Sequence, residues 1–303
     1  MSDIKLFQID ADGAQQLKAG TVALERSLQH LIERNLDVLL GVSFLASEYS
    51  TGKKHGGRID TLGIDENGSP VIIEYKRHLN ENVINQGLYY LDWLLDHRAE
   101  FKLLVMERLG AGQADSIDWT SPRLLCIAGG FTKYDEHAVA QINRNIELIR
   151  YARYGDELLM LDLVNRTVAI ESVETDDKPT ANKYTPVLIS EALSQLSPTL
   201  DDVWNAVRTF LLGLGDLDEV TVKETKFYMA FRRLKNFACV RPTNKHLTIW
   251  AKVDPDTVEL VEGFTRDMRN IGHYGTGDLE IQLHTLDDVE RAKPLLVRAF
   301  EDN

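Results

Sequence analysis

The sequence predicts an α/β protein whose core has a mixed central sheet flanked by helices, followed by a smaller α+β domain. An N-terminal helical segment precedes three runs rich in β-branched and aliphatic residues, and helices then alternate with strands to about residue 165. Apolar periodicity is lost over residues 171–186, where Thr, Asp, Lys, Pro and Asn dominate. We therefore expect a first domain over residues 1–168, a linker over 169–188 and a second domain over 189–303.

The net charge limits how this chain can contact nucleic acid. The 303 residues are 44% hydrophobic and 27% charged, and the net charge is −13. Binding through the surface as a whole is therefore disfavoured, and local positive patches are required. No apolar run reaches the roughly 20 residues of a membrane span, and the N-terminus lacks a signal-peptide layout, so we expect a cytoplasmic protein without membrane contact. Cys126 and Cys239 lie in apolar runs and are expected to be reduced core thiols.

The first elements are a short edge strand and an amphipathic helix. Residues 4–9 predict the strand, and Thr21 is expected to cap a helix that runs to about Leu40. At about 100° per residue, Glu25 lies near the centre of the apolar helix face and Glu33 near its edge. A carboxylate that points into a core is costly unless a cation or hydrogen bonds meet it, although Glu25 can also extend to solvent. The residues that define the apolar face are Leu24, Leu28, Leu31, Ile32, Leu36 and Leu39.

The three β-rich runs predict a strand over residues 42–49 and then a β-hairpin. An Asn-Gly dipeptide separates the two hairpin runs and supplies the positive φ angles of a tight turn. Side chains alternate along a strand, so Glu74 and Lys76 project from one face of the second hairpin strand. Asp60, on the first hairpin strand, can lie beside them. Two carboxylates and one ammonium group then share a small patch of sheet.

This patch has a chemical use and a plainer explanation. Carboxylate oxygens suit Mg²⁺, which binds through one or two carboxylates together with substrate phosphate. A lysine beside the ion can orient or help deprotonate a water for attack on a phosphodiester. The alternative is a cross-strand Lys–Glu pair on a solvated sheet. Glu48, on the preceding strand, either joins the acids or is an exposed strand residue. The residue types alone leave these alternatives open.

Helices and strands continue to alternate after the hairpin. The next helix is amphipathic through Val83, Leu91 and Leu94, and it places Gln86 and Tyr90 four residues apart on one face. The elements of this region are expected at residues 81–97 (helix), 101–109 (helix), 124–128 (strand), 135–143 (helix), 146–154 (strand) and 158–163 (strand).

Together these residues resemble the PD-(D/E)XK nuclease superfamily, which has the restriction-endonuclease-like fold. Asp60, Glu74 and Lys76 match its Asp…Glu-x-Lys pattern, with a hairpin between the acids. Gln86 and Tyr90 match the Gln-x-x-x-Tyr element of its RecB-like and NucS-like branches, and would support the site from the helix. The phrase Gly-Arg-Ile-Asp…Val-Ile-Ile-Glu-Tyr-Lys-Arg is especially similar to NucS-type endonucleases. The resemblance covers about residues 20–165, from the first helix to the last strand of the core.

The resemblance implies a Mg²⁺- or Mn²⁺-dependent endonuclease that hydrolyses DNA. Asp60 and Glu74 are then direct metal ligands, and Lys76 orients the attacking water. Members of the superfamily commonly place a Glu of the first helix against the metal site, often through water. We assign that role to Glu25, with Glu33 as the alternative.

Positive residues close to the expected site are candidate nucleic-acid contacts, although each also suits a solvated surface. NucS-type enzymes carry a DNA-binding domain before the nuclease core, whereas here the extra domain follows it, so mismatch cutting is not implied. Two cuts on duplex DNA need two active sites, which favours a homodimer. The alternatives are a non-catalytic nucleic-acid- or protein-binding module, an enzyme acting on RNA or nucleotides, and a transport protein. The candidate contacts are Lys53, Lys54, Arg58, Arg77, Arg150 and Arg153.

The second domain is expected to be a small α+β fold. The Gly-rich stretch at residues 272–278 predicts a structural turn rather than a phosphate loop, because no strand precedes it and no helix follows it. Together with Lys226-Phe227-Tyr228 and Asn236-Phe237, it resembles an uncharacterised C-terminal domain of predicted transport proteins. Its basic residues Arg232, Arg233, Lys235 and Arg241 suit either nucleic-acid or partner recognition, or a solvated rim. The elements are expected at residues 190–214 (helical), 227–231, 237–240 and 247–253 (strands), 257–268 (helix), 279–283 (strand) and 286–300 (helix).

Overall fold

The chain forms two compact units, Met1–Glu174 and Thr175–Asn303. The computed structural model describes residues 4–10, 13–21, 25–77, 82–169, 188–216 and 219–303, without the side chains of residues 10, 54, 55 and 82. Apart from its two end residues, the linker expected at 169–188 lies outside the described residues. Within the described ranges, no helix is both long and apolar enough to cross a membrane.

The first unit is built on a mixed sheet, as expected, and this sheet has seven strands. Strands β4, β5 and β6 are antiparallel neighbours, β6, β7 and β8 run parallel, and β3 and β9 are both antiparallel to β8. A separate hairpin of β1 and β2 precedes the sheet. The strands are β1 (Leu6–Asp10), β2 (Gly13–Leu17), β3 (Ala19–Gly20), β4 (Val42–Ser50), β5 (Arg58–Asp65), β6 (Pro70–Lys76), β7 (Arg123–Ala128), β8 (Asn145–Tyr154) and β9 (Leu158–Thr167).

Helices flank this sheet on both faces. The first helix packs on β5 and β6, and the fourth packs on β6 and β7. A Cβ atom at Gly87 of the fourth helix would lie 2.5 Å from Leu124 Cδ1, so a glycine there permits the close approach of helix and sheet. The helices are α1 (Glu25–Arg34), α2 (Leu36–Leu40), α3 (Gly52–His55), α4 (Asn82–Asp96), α5 (Arg98–Leu109), α6 (Ala111–Asp115) and α7 (Lys133–Ala140).

The single helix expected from Thr21 to Leu40 is wrong in one respect, because it is interrupted at Asn35. The backbone of Asn35 is non-helical, with φ −125° and ψ 22°. Its Nδ2 atom donates to the carbonyl oxygen of Leu31 at 2.8 Å. Asn side chains compete for backbone groups in this way and so break helices. The chain therefore turns into α2 before entering β4.

The second unit is a six-stranded antiparallel sheet with helices, which is the small α+β fold that the sequence predicts. Its strand order is β10-β11-β12-β13-β15-β14. The C-terminal helix packs on β12, β13 and β15 and on the long helix that precedes the sheet. The elements are α8 (Ile189–Ser194), α9 (Pro198–Leu212), β10 (Thr221–Glu224), β11 (Met229–Arg232), β12 (Asn236–Pro242), β13 (Leu247–Ala251), β14 (Thr265–Asp267), β15 (Leu279–Leu283) and α10 (Leu286–Glu301).

The helix expected at residues 257–268 is wrong. A short 3-10 turn at Pro255–Thr257 is followed by a loop and then by β14, which pairs with β15 at the sheet edge. Gly263 has φ +76°, which a right-handed helix does not allow. Pairing with the sheet has overridden the local helical pattern.

The Gly-rich stretch at residues 272–278 covers one face of this sheet. A Cβ atom at Gly275 would lie 2.5 Å from Trp250 Cε3, so the loop packs directly on the sheet. The backbone N–H of Thr276 donates to Cys239 Sγ at 3.4 Å. Both contacts fit the structural turn that the sequence predicts. Cys126 and Cys239 are both buried, as expected of core thiols.

Candidate active site

The candidate site lies where one residue of β5 leaves the sheet ladders on both sides. The ladder between β5 and β6 ends at the pair Thr61–Ile73. In the ladder between β4 and β5, Thr61 pairs with Ser47 and Ile59 pairs with Tyr49, but the residue of β5 between Ile59 and Thr61 has no pair among the described residues. That residue is Asp60. Its backbone N–H and C=O groups must therefore find partners outside the sheet.

The two predicted carboxylates bond to the backbone across this gap. The N–H of Asp60 donates to Glu74 Oε1 at 3.2 Å, and the N–H of Tyr75 donates to Asp60 Oδ2 at 3.0 Å. Each acid is thus held by the strand that carries the other. Glu74 is fully buried, and within the described part of the chain its Oε2 atom has no hydrogen-bond partner. A buried carboxylate oxygen without a partner is costly, so this atom requires a proton or a cation.

The environment raises the pKa of both acids. Burial raises the pKa of Asp60 to about 6, although the hydrogen bond from Tyr75 opposes it. Burial, and then the negative charge of Asp60, raise the pKa of Glu74 to about 9. Like charges and a dry setting both disfavour ionisation. At neutral pH the acid pair therefore retains one proton unless a cation replaces it.

Lys76 joins the end of β6 to the start of α1. Its Nζ atom donates to Glu25 Oε1 at 3.0 Å, and Glu25 Oε2 accepts from the backbone N–H of Arg77 at 3.1 Å. The Lys76 side chain is 17% exposed and that of Glu25 is 41% exposed. Burial lowers the pKa of Lys76, but the hydrogen bond with Glu25 and the surrounding carboxylate charges outweigh it, so the pKa is raised. The lysine is therefore a fixed positive charge.

Glu25 reaches the predicted site through Lys76 rather than by contact with the acid pair. Among the residues that the structure describes, no three His, Cys, Asp or Glu side chains are arranged to hold a metal ion. A metal site here depends on Asp60 and Glu74, and the role of Glu25 as a further ligand stays a prediction. The alternative, Glu33, is engaged elsewhere, because its Oε1 atom accepts from Thr61 Oγ1 at 2.7 Å.

Gln86 and Tyr90 act on the backbone of β5. Gln86 Nε2 donates to Tyr90 Oη at 3.3 Å, and Tyr90 Oη accepts from the backbone N–H of Arg58 at 3.0 Å. A Cβ atom at Gly57 would lie 2.5 Å from Tyr90 Cε1, so the ring packs closely on the chain just before β5. The pair therefore fixes the start of the strand two residues before Asp60.

Three predicted DNA contacts are exposed residues of the chain around the hairpin. Lys53 and Arg77 are exposed. Arg58 is 65% exposed and its Nη1 atom donates to Glu48 Oε2 at 3.2 Å. The side chain of Lys54 lies outside the described residues. These cations are placed to offset the acidic charge of the chain locally.

The two predicted arginines of β8 are paired with acids. Arg150 Nη2 lies 2.7 Å from Asp162 Oδ2, and Arg153 Nη2 lies 3.3 Å from Asp156 Oδ1. The register aligns Arg150 with Lys76 across the strand between them. Arg150 therefore lies two strands from the candidate site, and its contact with nucleic acid stays a prediction.

Two further residues lie at the site: Glu48, for which the sequence left a place beside the acids and an exposed strand position open, and Gln29, which was not predicted. Glu48 has φ +52°, an uncommon value for a residue other than glycine, and its charge contributes to the raised pKa of Asp60. Gln29 is buried in α1 and its Nε2 atom donates to the carbonyl oxygen of Asp60 at 2.7 Å. Gln29 is four residues from both Glu25 and Glu33, on one helix stripe, and that spacing is the signal that could have identified it.

The fold and site together define an α/β core with an acid pair and a lysine at an opened hairpin, joined to an antiparallel α+β unit. A family model described as a domain of unknown function, DUF5655, matches residues 189–303. An uncharacterized protein of Haemophilus influenzae is 27% identical over 305 residues, covering 99% of this chain and 100% of that protein.

Three solved structures are similar to part of this chain. One is the crystal structure of a repair endonuclease from Pyrococcus abyssi, with 20% identity, a TM-score of 0.29, and coverage of 43% of this chain and 48% of that chain. A complex of EndoMS with double-stranded DNA has 21% identity, a TM-score of 0.25, and coverage of 43% and 47%. EndoMS in apo form has 18% identity, a TM-score of 0.26, and coverage of 45% and 50%. The match spans about half the length of each of these proteins.

Proposed function

We propose that this chain is a Mg²⁺- or Mn²⁺-dependent endonuclease that hydrolyses phosphodiester bonds of DNA. The observation that carries the proposal is the buried acid pair, in which Glu74 Oε2 lacks a partner among the described residues. Asp60 and Glu74 offer the hard oxygen atoms that Mg²⁺ prefers, and they fit such an ion. A bound ion supplies a water of lowered pKa and stabilises the charge that develops on the phosphate.

Lys76 has a defined role in this proposal. Because its pKa is raised and Glu25 holds its Nζ atom, the ammonium group keeps its proton at neutral pH. It can donate a hydrogen bond to a water or a phosphate oxygen but is not suited to accept a proton as a general base. We therefore assign Lys76 to orienting the attacking water and neutralising the phosphate.

The protein fixes the direction in which the acids point. Asp60 and Glu74 are each bonded to a backbone amide of the opposite strand, so neither carboxylate needs to reorganise before the reaction. Tyr90 holds the start of β5 in place through the amide of Arg58. Preorganised groups of this kind contribute to catalysis because the cost of ordering them is met on folding.

DNA is the proposed substrate because exposed cations lie on the chain around the acids. Lys53, Arg58 and Arg77 are exposed and can contact phosphates of a bound strand. The ordered set of residues that resembles PD-(D/E)XK nucleases supports the same substrate class. Cutting both strands would require two copies of the site, so we also propose a homodimer, which light scattering would detect.

Cleavage assays on the purified protein test this proposal. Labelled single-stranded, duplex, mismatched and branched DNA, and RNA, are incubated with Mg²⁺, Mn²⁺ or EDTA. We expect metal-dependent cutting of DNA that Glu74→Gln and Lys76→Ala abolish. Glu157→Gln, an exposed acid in the turn between β8 and β9, is the matched control and should cut at the wild-type rate. A wild-type protein inert on every substrate and metal, but still able to bind nucleic acid, would instead support the binding-module alternative.

A further inference from the structure

Because Asp60 pairs with neither neighbouring strand of the described sheet, its backbone N–H and C=O groups need hydrogen-bond partners from outside the sheet. The pairs Ser47–Thr61 and Tyr49–Ile59 flank it in the ladder with β4, and Glu48 lies in the skipped position. Since Glu48 has φ +52°, it cannot continue an extended ladder. Local irregularities of this kind re-aim side chains, and they occur more often beside active sites than elsewhere in sheets. The N–H of Asp60 is satisfied by Glu74, so its carbonyl oxygen still needs a donor.

Gln29 supplies that donor from a neighbouring helix. Its Nε2 atom lies 2.7 Å from the carbonyl oxygen of Asp60 and 3.1 Å from Ser47 Oγ. Gln29 is only 4% exposed, so bulk solvent does not compete for these contacts of its amide group. One buried amide group therefore links α1 to β4 and to β5 at the point where the two strands fail to pair.

The same amide is connected to the residues that adjoin both acids. Gln29 Nε2 lies 3.1 Å from Glu33 Oε1, which also accepts from Thr61 Oγ1 at 2.7 Å. The Thr61 hydroxyl is in turn 3.2 Å from Tyr75 Oη. Thr61 follows Asp60 on β5 and Tyr75 follows Glu74 on β6. The network thus reaches both strands of the hairpin immediately beside the acid pair.

We propose that Gln29 is a positioning residue that holds Asp60 out of the sheet ladders, so that its carboxylate is presented together with that of Glu74. Without this donor, the carbonyl oxygen of Asp60 loses the hydrogen bond that replaces its ladder partner. The backbone of β4 is then the nearest alternative, because β5 already pairs with it on both sides of Asp60. Closing that ladder requires Glu48 to return to an extended backbone, and it would turn Asp60 and draw its carboxylate away from the N–H of Tyr75. The catalytic part of this inference rests on the proposed nuclease function.

Gln29→Met tests the inference, because it keeps the side-chain volume and removes the amide. We expect the amide protons of Asp60 and Tyr75 to exchange with solvent at least tenfold faster in the metal-free variant. Mn²⁺ affinity, measured by calorimetry without DNA, should fall about 10- to 100-fold, as it does when groups that orient metal ligands are lost. On a substrate that the wild type cuts, kcat should fall about 10- to 100-fold while KM changes less than twofold.

Three further variants separate positioning from a general loss of packing. Ser47→Ala removes one contact of Gln29 but leaves its bond to Asp60, and should resemble the wild type. Thr132→Ala removes the N-cap of α7 and lowers the stability of the protein, but should leave exchange at Asp60, metal affinity and kcat unchanged. Gln29→Asn keeps an amide that is too short to reach, and it replaces Gln29→Met if that variant does not fold.

The outcomes distinguish this inference from the proposed function. If Gln29→Met and Gln29→Asn match the wild type in exchange and metal affinity, or if Thr132→Ala reproduces their losses, Gln29 is not a positioning residue. If the wild type neither binds Mn²⁺ nor cuts DNA, the nuclease proposal fails. The exchange comparison between Gln29→Met and Thr132→Ala then still decides whether Gln29 positions the acid pair.

Discussion

Replacing Glu74 by Gln should make the metal-free protein more stable at neutral and alkaline pH. In the folded chain the pKa of Glu74 is raised from 4.5 to about 9. Between these values the unfolded chain releases the proton and the folded chain keeps it, so stability falls as pH rises. The slope is about 1.36 kcal/mol per pH unit. Between pH 6 and pH 8, the free energy of unfolding of the wild type should therefore fall by about 3 kcal/mol through Glu74, and Glu74→Gln should not show this fall.

Urea unfolding of the metal-free proteins at pH 6, 7 and 8 measures this difference. Fluorescence of Trp93 and Trp119 reports on the first unit once Trp204 and Trp250 of the second unit are replaced by Phe in both proteins. Other titrating groups affect wild type and variant alike, so the quantity of interest is the difference in their unfolding free energies. A difference that stays constant from pH 6 to pH 8 would refute the assignment of a retained proton to the acid pair.

Three further predictions follow from the same structure. Mg²⁺ should displace the proton held by the acid pair, so the affinity for Mg²⁺ should rise about tenfold per pH unit from pH 6 to 9. Calorimetry in buffers of different ionisation enthalpy measures the number of protons released on binding, and a value of zero would contradict this prediction. Tyr90→Phe removes the hydroxyl that accepts from the amide of Arg58 and should cost about 1 kcal/mol of stability with a severalfold lower kcat; unchanged denaturation and cleavage would argue against that role. Arg123 is buried, with Nε 2.9 Å from Glu147 Oε1 and Nη1 3.0 Å from Asp65 Oδ2. Arg123→Met removes this buried cation from both acids and should cost about 3–5 kcal/mol in urea unfolding, whereas a loss below 1 kcal/mol would mean that the other contacts of the acids, such as Arg166 with Glu147, replace it.

Much of the first unit could be predicted from the sequence because its signals are local. The Asn-Gly turn and the alternation along β5 and β6 fix the hairpin, and the two-residue period places Glu74 and Lys76 on one face. Helices between the later strands indicate parallel pairing there, because parallel strands need a crossover connection, so a mixed sheet could be predicted. In contrast, β14 was mistaken for a helix, since its three residues are extended only through pairing with β15.

The candidate site also has features that the sequence predicts and features that depend on tertiary packing. The sequence by itself grouped the residues that we propose to carry the chemistry, Asp60, Glu74 and Lys76, because their order and spacing are properties of one short hairpin. The tertiary structure decided how they are held. Gln29 is 31 residues from Asp60, and Glu25 is 51 residues from Lys76. Partners at such separations are selected by the packing of α1 against the sheet, and burial raises the pKa values of the acids only once that packing has excluded water.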